Sequence, residues 1–274
     1  IVASSQLKEM LDFSNHNYYN WRFGKIYYTK KGKGSPLLLI HDTMPGASGY
    51  EWSRVEDQLA QEHTVYTLDL LGCGRSEKAG ITYTNFLFVQ IICDFIKNVI
   101  KEKTDIIASG FSCSFVTTAA AYDKESINKI MFINPVSMIS LAQTTTKKDK
   151  LFKFFIELPI FGTFIYHIIV SRETINDFFL DKLYYNPFHV DKDVLDAYYE
   201  AAHKGGYYAK CLYSSQSAKY MNINIRHAVE SIDNSIYIVE GEDEPNGAAI
   251  VEAYQKVNPA IESATIPCSK HFPH

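Results

Sequence analysis

Short runs of apolar residues recur along the chain, and helix-compatible segments separate them. The runs predicted as strands are 36–40, 64–68, 105–109, 130–133 and 236–239, with a last short one at 264–266. The segment that begins near Thr84 repeats apolar side chains every four residues, as an amphipathic helix does: Leu87, Ile91, Phe95 and Val99. This alternation is typical of an α/β fold with a mostly parallel, doubly wound sheet covered by helices.

Two local predictions concern the first part of the chain. Residues 25–29 and 36–40 are separated by a glycine-containing turn, which predicts a hairpin that leads into a buried strand. Residues 51–61 place Trp52, Val55 and Leu59 on one face, which predicts a helix.

The alternation stops between about residues 140 and 227, where helix-compatible stretches rich in Phe, Tyr, Ile and Leu take its place. We therefore predict an α/β core formed by residues 1–139 and 228–274, and an inserted helical lid over residues 140–227. The tyrosine pairs of this segment are expected to pack the lid on the core, and some to line an apolar pocket. The basic run Lys147–Lys150 is predicted to be a solvated hinge, with a weak membrane-surface contact as the alternative.

Charge and cysteine content exclude several classes of protein. With 27 basic and 31 acidic residues among 274, the net charge is −4, and no basic patch for nucleic acid stands out. Five scattered cysteines fit neither a zinc site nor a disulfide framework, so the expected location is a reducing cytoplasm. No apolar segment reaches the roughly 18 residues of a membrane span, so stable membrane insertion is not expected. Residues 1–5 lack a signal-peptide pattern, although the chain does not start with methionine. The oligomeric state stays open.

A serine stands where a predicted strand stops and a predicted helix begins, in the sequence Gly110-Phe111-Ser112-Cys113-Ser114. A sharp strand-to-helix turn exposes such a hydroxyl and points the next amide toward the same space, as an acyl-transfer nucleophile requires. The usual pattern is G-x-S-x-G, and Ser114 replaces its last glycine. A serine at such a junction is more often a simple helix cap, which is the alternative for Ser112.

A serine nucleophile needs a base, and the base needs a carboxylate that orients it. An acidic loop, residues 240–245, follows the strand predicted at 236–239, and His271 follows the last strand. Both Glu244 and Asp243 are candidates for the acid, and the alternative is a solvated acidic loop. The order serine, acid, histidine is the order of doubly wound hydrolases.

From about Lys25 to its end, the chain resembles the α/β-hydrolase fold superfamily, in its lid-bearing serine hydrolase branch. Four segments carry the resemblance: the His-Gly-like loop His41–Gly46, the D-x-x-G-x-G-x-S turn Asp69–Ser76, the elbow around Ser112, and Lys270–His274, which is similar to a G-H-x-x-H segment. His41 is expected to play a structural role under its loop, and His274 to lie at the surface or behind the site.

The resemblance implies the roles of the site residues. Ser112 would be the nucleophile, His271 the general base and then acid, and Glu244 or Asp243 the orienting carboxylate. The oxyanion hole would be formed by the amides of Cys113 and Thr43, with Met44 as the alternative donor. No metal and no organic cofactor is implied.

The function that follows is hydrolysis of a small or medium apolar ester, with water as second substrate, through an acyl-enzyme. Two alternatives are a hydrolase of carbon–carbon bonds in β-diketone-like compounds and a ligand-binding protein without turnover. The second alternative rests on Asp42 and Ser114, each of which replaces a glycine, and a carboxylate near a developing oxyanion would raise the barrier. The resemblance also implies a final helix beyond His274.

Overall fold

One eight-stranded sheet forms the centre of the fold in the computed structural model, which describes residues 8–11, 17–186, 188 and 190–273. The predictions about residues 1–5 and about His274 lie outside the described residues. The strands β1 to β8 are, in chain order, Tyr18–Trp21, Gly24–Lys31, Ser35–Ile40, His63–Leu68, Thr104–Ser109, Ile127–Ile133, Ile236–Gly241 and Glu262–Ile266. Their order in the sheet is β1-β2-β4-β3-β5-β6-β7-β8.

Strands β3 to β8 pair in parallel, and β1 and β2 add an antiparallel edge. The predicted mostly parallel α/β sheet is therefore confirmed. The α-helices α1 to α11 of the described residues are Glu56–Leu59, Asn85–Phe95, Ser112–Tyr122, Met138–Leu141, Lys147–Glu157, Phe161–Ile169, Arg172–Phe178, Lys192–His203, Lys210–Ser217, Arg226–Ser231 and Gly247–Val257. The helix predicted over 51–61 is shorter, because a 3₁₀ turn, Gly49–Trp52, precedes the one-turn α1.

The predicted hairpin between residues 25–29 and 36–40 is wrong. Strand β4 lies between β2 and β3, where Tyr28 pairs with Leu68 and Leu38 pairs with Tyr66. The hairpin is formed instead by β1 and β2, which turn between Trp21 and Gly24. Because β3 is apolar on both faces, it takes a central position, flanked by the parallel strands β4 and β5.

Helices cover both faces of the sheet and bury its apolar side chains. On one face α2 packs on α3, and the rings of Phe88 and Phe115 stack with centroids 4.6 Å apart. On the other face Trp52 packs with Leu39 and Ile133. Both layers leave the carboxyl ends of β3, β5 and β6 at one edge, where the loops of interest begin.

Helices α5 to α9, which we call the helical insertion, connect β6 to β7 together with α4 and α10. A separate apolar cluster joins the insertion to the loop after β3, with Phe179 and Tyr198 against Met44 and Ala47. The insertion thus lies on the loops at the carboxyl ends of the strands. Its role as a lid over residues 140–227 stays a prediction.

Taken singly, none of the helices in the described residues has the length and apolarity to cross a bilayer. Helices α5 and α6 meet both criteria only when they are counted together, and they are bent by 99° at the break between them.

Candidate active site

The turn from β5 into α3 is made by Gly110, whose φ of +52° lies in the left-handed region. Ser112 is already the first residue of α3 and is completely buried. Its hydroxyl donates a hydrogen bond of 2.6 Å to the carbonyl oxygen of His41. The sharp turn expected around the serine therefore exists, but its left-handed residue stands two positions earlier in the chain.

The structure does not bring Ser112 to His271. Among the described residues, no hydrogen bond joins the two side chains, and the Ser112 hydroxyl is engaged with the backbone. Cys113 is buried behind the turn, where its thiol contacts the carbonyl oxygen of Ala108 at 3.3 Å. Burial raises the pKa of this thiol well above its usual value.

The carboxylate of Asp42 occupies the position at which the predicted nucleophile and oxyanion hole were expected to meet. Its Oδ1 accepts hydrogen bonds from the backbone amides of Thr43 at 2.6 Å and of Phe111 at 2.8 Å. Its Oδ2 lies 3.2 Å from Nε2 of His271. The Thr43 amide, predicted to be an oxyanion donor, thus binds a side chain of this chain, and the second donor is Phe111 rather than Cys113. Met44 packs against the insertion.

A glycine at position 110 makes room for this carboxylate. A Cβ atom added to Gly110 would lie 2.2 Å from Oδ2 of Asp42, far inside contact distance. The carboxylate therefore fills the space into which a side chain at position 110 would project.

His271 lies between two carboxylates, which we call, together with its ring, the Asp42 centre: Asp42, His271 and Glu244. Nδ1 of His271 is 3.4 Å from Oε1 of Glu244, while Nε2 contacts Asp42. Of the two predicted acids, the structure brings Glu244 to the imidazole. Asp243 is exposed, and its backbone amide donates to the carbonyl oxygen of Ser269.

The two carboxylates hold the imidazole in its charged form. Burial alone would lower the pKa of His271, but hydrogen bonds and charges of Asp42 and Glu244 outweigh it and raise this pKa to about 10. Burial alone would raise the pKa of Asp42, yet His271 and the amides of Phe111 and Thr43 hold it below its usual value. At neutral pH the centre is an ion pair, in which the imidazolium is shared between two carboxylates.

A third carboxyl group, Glu51, lies behind Asp42 and was not predicted as a site residue. The backbone amide of Asp42 donates to Oε2 of Glu51 at 3.1 Å, and the Ser109 hydroxyl donates to Oε1. Burial raises the pKa of Glu51 to about 8. Its position in a segment predicted to be an ordinary helix gave no signal of this contact.

Asn134, at the end of β6, fixes the loop that carries His271. Its side-chain amide donates to the carbonyl oxygens of Lys270 and His271 at 3.0 and 2.9 Å, and its oxygen accepts from the Gly241 amide. The sequence signal that could have found it is an asparagine directly after an apolar strand, which is a common place for site residues.

Comparison with known proteins supports the assignment of the fold. A family model described as the alpha/beta hydrolase fold matches residues 36–155. The crystal structure of Cfl2 from Burkholderia cenocepacia superposes with a TM-score of 0.76, covering 94% of this chain and 90% of that one, at 18% identity. The chain therefore has the α/β-hydrolase fold.

Two curated relatives match part of the sequence. The 2-hydroxy-6-oxo-6-(2'-aminophenyl)hexa-2,4-dienoic acid hydrolase of Metapseudomonas resinovorans is 28% identical over 41% of this chain and 39% of its own length. The soluble epoxide hydrolase of Corynebacterium sp. (strain C12) is 29% identical over 40% of this chain and 37% of its own length. The chain thus spans about two-fifths of the length of the relatives it matches.

With the fold assigned, the elbow pattern of an α/β-hydrolase fits a second register. Read around the left-handed residue, G-x-S-x-G becomes Ala108-Ser109-Gly110-Phe111-Ser112, with Gly110 in the position of the nucleophile. This register also explains why the Phe111 amide, which follows the nucleophile position, points at Asp42. The small residues Ala108 and Ser112 occupy the two outer positions of the pattern.

His41 and Asp69 support the loops around the centre. Nε2 of His41 accepts the amide hydrogen of Leu70 at 3.0 Å, and burial lowers the pKa of this imidazole. Asp69 accepts from the amides of Gly49 and Arg75 at 2.7 Å each. Both side chains tie the loop after β4 to the loop after β3 and are thereby removed from the chemistry.

Tyr198 of α8 lies over the same loop from the side of the insertion. Its backbone carbonyl packs against Gly46, and its ring lies 6.4 Å from that of Phe272, the neighbour of His271. The hydroxyl is buried and has no hydrogen-bond partner within the part of the chain that the structure describes. Burial, aided by the charges of Glu51 and Asp42, raises its pKa well above the usual value, so the phenol stays protonated.

The cavities on the two sides of the Asp42 centre differ in volume. Between the insertion and residues 43–47 lies a cavity of about 20 Å³, which is room for one water molecule. On the other side, Glu244 and His271 border a cleft of about 650 Å³ that Asn134 and Arg226 also line. Over the described ranges, no group of three or more His, Cys, Asp or Glu side chains is arranged to hold a metal ion.

Proposed function

We propose that this chain is a hydrolase that opens a small apolar substrate of the epoxide class, with Asp42 as the nucleophile and His271, oriented by Glu244, as the base that activates water. One observation carries the proposal: one oxygen of the Asp42 carboxylate is held by two amides, and the other lies beside the imidazole. This is the arrangement that a carboxylate nucleophile requires.

Attack at saturated carbon suits this centre better than attack at an ester carbonyl. A tetrahedral intermediate derived from an ester needs free amide donors for its oxyanion. Here the amides of Thr43 and Phe111 are already bonded to Asp42. Displacement at an epoxide carbon needs no amide donors for the substrate. The two hydrogen bonds to Oδ1 also hold the carboxylate in one orientation and so fix the position of Oδ2.

In the first step, Oδ2 of Asp42 forms a bond to a ring carbon of the epoxide while the carbon–oxygen bond of the ring breaks. The departing oxygen takes the proton of the Tyr198 hydroxyl, which gives a 2-hydroxyalkyl ester of Asp42. Esterification removes the charge of Asp42 and with it much of the support for the imidazolium. The proton of His271 therefore passes to the tyrosinate, and the imidazole becomes neutral.

In the second step, neutral His271 takes a proton from water, and the hydroxide adds to the carbonyl carbon of the ester. The amides of Thr43 and Phe111 now stabilise the oxyanion on Oδ1. Collapse breaks the bond between that carbon and Oδ2, which takes the proton from His271 and leaves as a hydroxyl oxygen of the diol. The Asp42 carboxyl then returns its proton to His271 and restores the ion pair.

The comparisons support hydrolysis in general. The Corynebacterium relative is named a soluble epoxide hydrolase, and the Metapseudomonas relative is named a hydrolase of a dienoic acid. The prediction of an ester hydrolase acting through Ser112 would need the Ser112 hydroxyl to leave His41 and reach His271. Entry of either substrate class, epoxide or ester, from the side of the insertion would require the insertion to move, because the cavity there holds about 20 Å³.

The decisive experiment is a single turnover of a styrene-oxide-like epoxide in ¹⁸O-water. We expect the isotope in the peptide that contains Asp42 and none in the diol. In His271→Gln the ester should accumulate and add the mass of the epoxide to the protein, while Asp42→Asn should form no adduct. Isotope in the diol after the first turnover would refute the covalent step.

Parallel assays test the other substrate classes. p-Nitrophenyl esters and a vinylogous diketone should be turned over poorly, and a fluorophosphonate probe should leave Ser112 unlabelled. Fluorophosphonate labelling that Ser112→Ala abolishes would restore the serine mechanism in place of the proposed one.

A second candidate is a ligand-binding protein without turnover. It is favoured by the resting ion pair, because an imidazolium with a pKa of about 10 is no base at neutral pH until Asp42 is esterified. Its signature would be a rise in Tm with epoxides or their diols, without formation of product or adduct.

A further inference from the structure

The outer side of α5 and α6 carries an unusual concentration of exposed apolar side chains. Eight large residues of these helices and the linker between them are solvent-exposed: Leu151, Phe152, Phe154, Phe155, Ile160, Phe161, Phe164 and Ile168. We call this set the apolar face. Ile160 is 86% exposed and Phe164 is 65% exposed. A large group of exposed apolar side chains indicates a site of interaction, whereas apolar side chains scattered singly over a surface do not.

The backbone at the corner of the apolar face is satisfied from within the protein. The Tyr207 hydroxyl donates to the carbonyl oxygen of Glu157 at 2.8 Å, and Nζ of Lys210 donates to that of Leu158 at 2.6 Å. The Thr163 hydroxyl donates to the carbonyl oxygen of Pro159 at 2.6 Å. A turn that faces water does not need three such bonds, whereas one that enters an apolar medium must satisfy these groups internally.

A basic group flanks the apolar face at the start of α5. Lys147, Lys148 and Lys150 are exposed, although the whole chain carries a net charge of −4. Asp149 is turned into the helix cap, where it accepts from the backbone and hydroxyl of Thr146. The positive charge is therefore local and lies beside the apolar residues, the combination with which interfacial helices bind anionic lipid.

We propose that the apolar face and its three lysines dock this protein on the surface of an anionic phospholipid membrane. The two helices lie in the interface with their phenylalanine and isoleucine side chains among the acyl chains, and the lysines contact the headgroups. The bend of 99° between α5 and α6 places Ile160 of the linker and Phe161, the first residue of α6, at the tip of the inserted wedge. The inner side of α6 packs through Tyr166 on the apolar cluster that holds Met44, so the docked element contacts the loop that also contains Asp42.

The test is co-sedimentation of the full chain with phosphatidylcholine vesicles, with and without phosphatidylglycerol. We expect binding to the anionic vesicles that is at least about tenfold stronger than to the neutral ones and that weakens with salt. The triple variant Phe154→Ser, Phe161→Ser, Phe164→Ser should lose binding, and Lys147→Glu with Lys148→Glu should lose the preference for anionic lipid. The matched control is Phe86→Ser with Tyr122→Ser, which removes exposed rings elsewhere and should bind normally.

A second measurement covers the case in which the triple variant does not fold. In Phe161→Trp the indole emission should shift to the blue with anionic vesicles and be quenched by brominated acyl chains. Equal binding by wild type and a folded triple variant, or no spectral shift, would overturn the proposal. A dimer in light scattering that the triple variant dissolves would assign the face to a second copy of this chain instead.

Discussion

A carboxylate at position 42 and a hydrogen atom in place of a side chain at position 110 share one small volume at the carboxyl ends of β3 and β5. The Asp42 carboxylate also uses both amides that face this volume, those of Thr43 and Phe111. The chemistry available to His271 is therefore decided by these two positions together.

The first prediction concerns the contact itself. Gly110→Ala should destabilise the protein by about 2 kcal/mol or more, because its Cβ would meet Asp42 at 2.2 Å in a left-handed backbone. Gly206→Ala is the matched control, since Gly206 has a φ of +64° but nothing within 4 Å of its Cβ position. Urea unfolding of both variants separates the effect of the steric clash from that of backbone strain. An equal decrease in the free energy of unfolding in the two variants would show that the Asp42 side chain moves away from the new Cβ at no cost.

The second prediction exchanges the two roles. Asp42→Gly combined with Gly110→Ser should free both amides and place a hydroxyl near His271, which is the geometry of a serine hydrolase. We expect the double variant to gain p-nitrophenyl ester hydrolysis and fluorophosphonate labelling at position 110. Neither single substitution should gain them, and an inactive but folded double variant would contradict this account of the site.

The third prediction concerns the charge of His271. By NMR titration the ring should stay protonated through neutral pH in the wild type, because its pKa is raised to about 10. In Asp42→Asn, which is isosteric but uncharged, the pKa should fall by about one unit or more. An unchanged titration in Asp42→Asn would mean that Asp42 does not hold the imidazolium.

At this scale the sequence singled out His271 and offered Glu244 as one of two acids for it, but it predicted neither the contact between Asp42 and His271 nor the register of the elbow. Asp42 contacts both the Thr43 amide and His271, because the loops that hold these residues follow parallel strands whose carboxyl ends lie at the same edge. Spacing alone could not show which residue between β5 and α3 adopts the left-handed conformation. Ser112 has the residue type that the pattern requires at its centre, whereas Gly110 has the left-handed φ of the turn.

Helix α2 offers a prediction at the scale of one element. Thr84 caps this helix, since its side chain accepts from the Leu87 amide at 3.3 Å. Thr84→Ala should cost about 1 kcal/mol of stability in urea unfolding, and Thr84→Ser, which keeps the hydroxyl, should cost less. Equal losses in the two variants would mean that the cap contributes nothing.

Elements with a strong local pattern were predictable, and the pairing of strands was not. Residues 84 onward formed the expected helix because four-residue apolar spacing and a threonine cap agree. The hairpin from β2 to β3 failed because a short turn suggests adjacency, whereas burial of both edges of β3 favours insertion of β4. Tertiary packing decides the pairing: the apolar residues of β3 indicate a central position, but they do not show which strand lies beside it.

For the whole molecule, buried groups predict how stability depends on pH. Native-state pKa values are raised to about 10 for His271 and to about 8 for Glu51, so the folded protein binds protons more tightly than the unfolded chain at both sites. The contribution of Glu51 is lost as pH rises from its ordinary value near 4.5 to about 8, and that of His271 as pH rises from 6.5 to about 10.

We therefore expect Tm to fall between pH 6.5 and 8 in scanning calorimetry, because above about pH 8 the lowered pKa of buried Lys78 acts in the opposite direction. Glu51→Gln and His271→Gln should each flatten part of this decline, Glu51→Gln below about pH 8 and His271→Gln above pH 6.5. A Tm that is constant or rises over this range would contradict the assigned directions.

The shared volume of Asp42 and Gly110 also bears on how such a centre arises by single mutations. Starting from a serine elbow, gaining the aspartate first would crowd the side chain at position 110, whereas losing the serine first would leave only a gap beside the imidazole. The effect of each substitution therefore depends on the other. The route without a steric clash passes through an inactive intermediate that has glycine at position 110 and has not yet gained the aspartate at position 42.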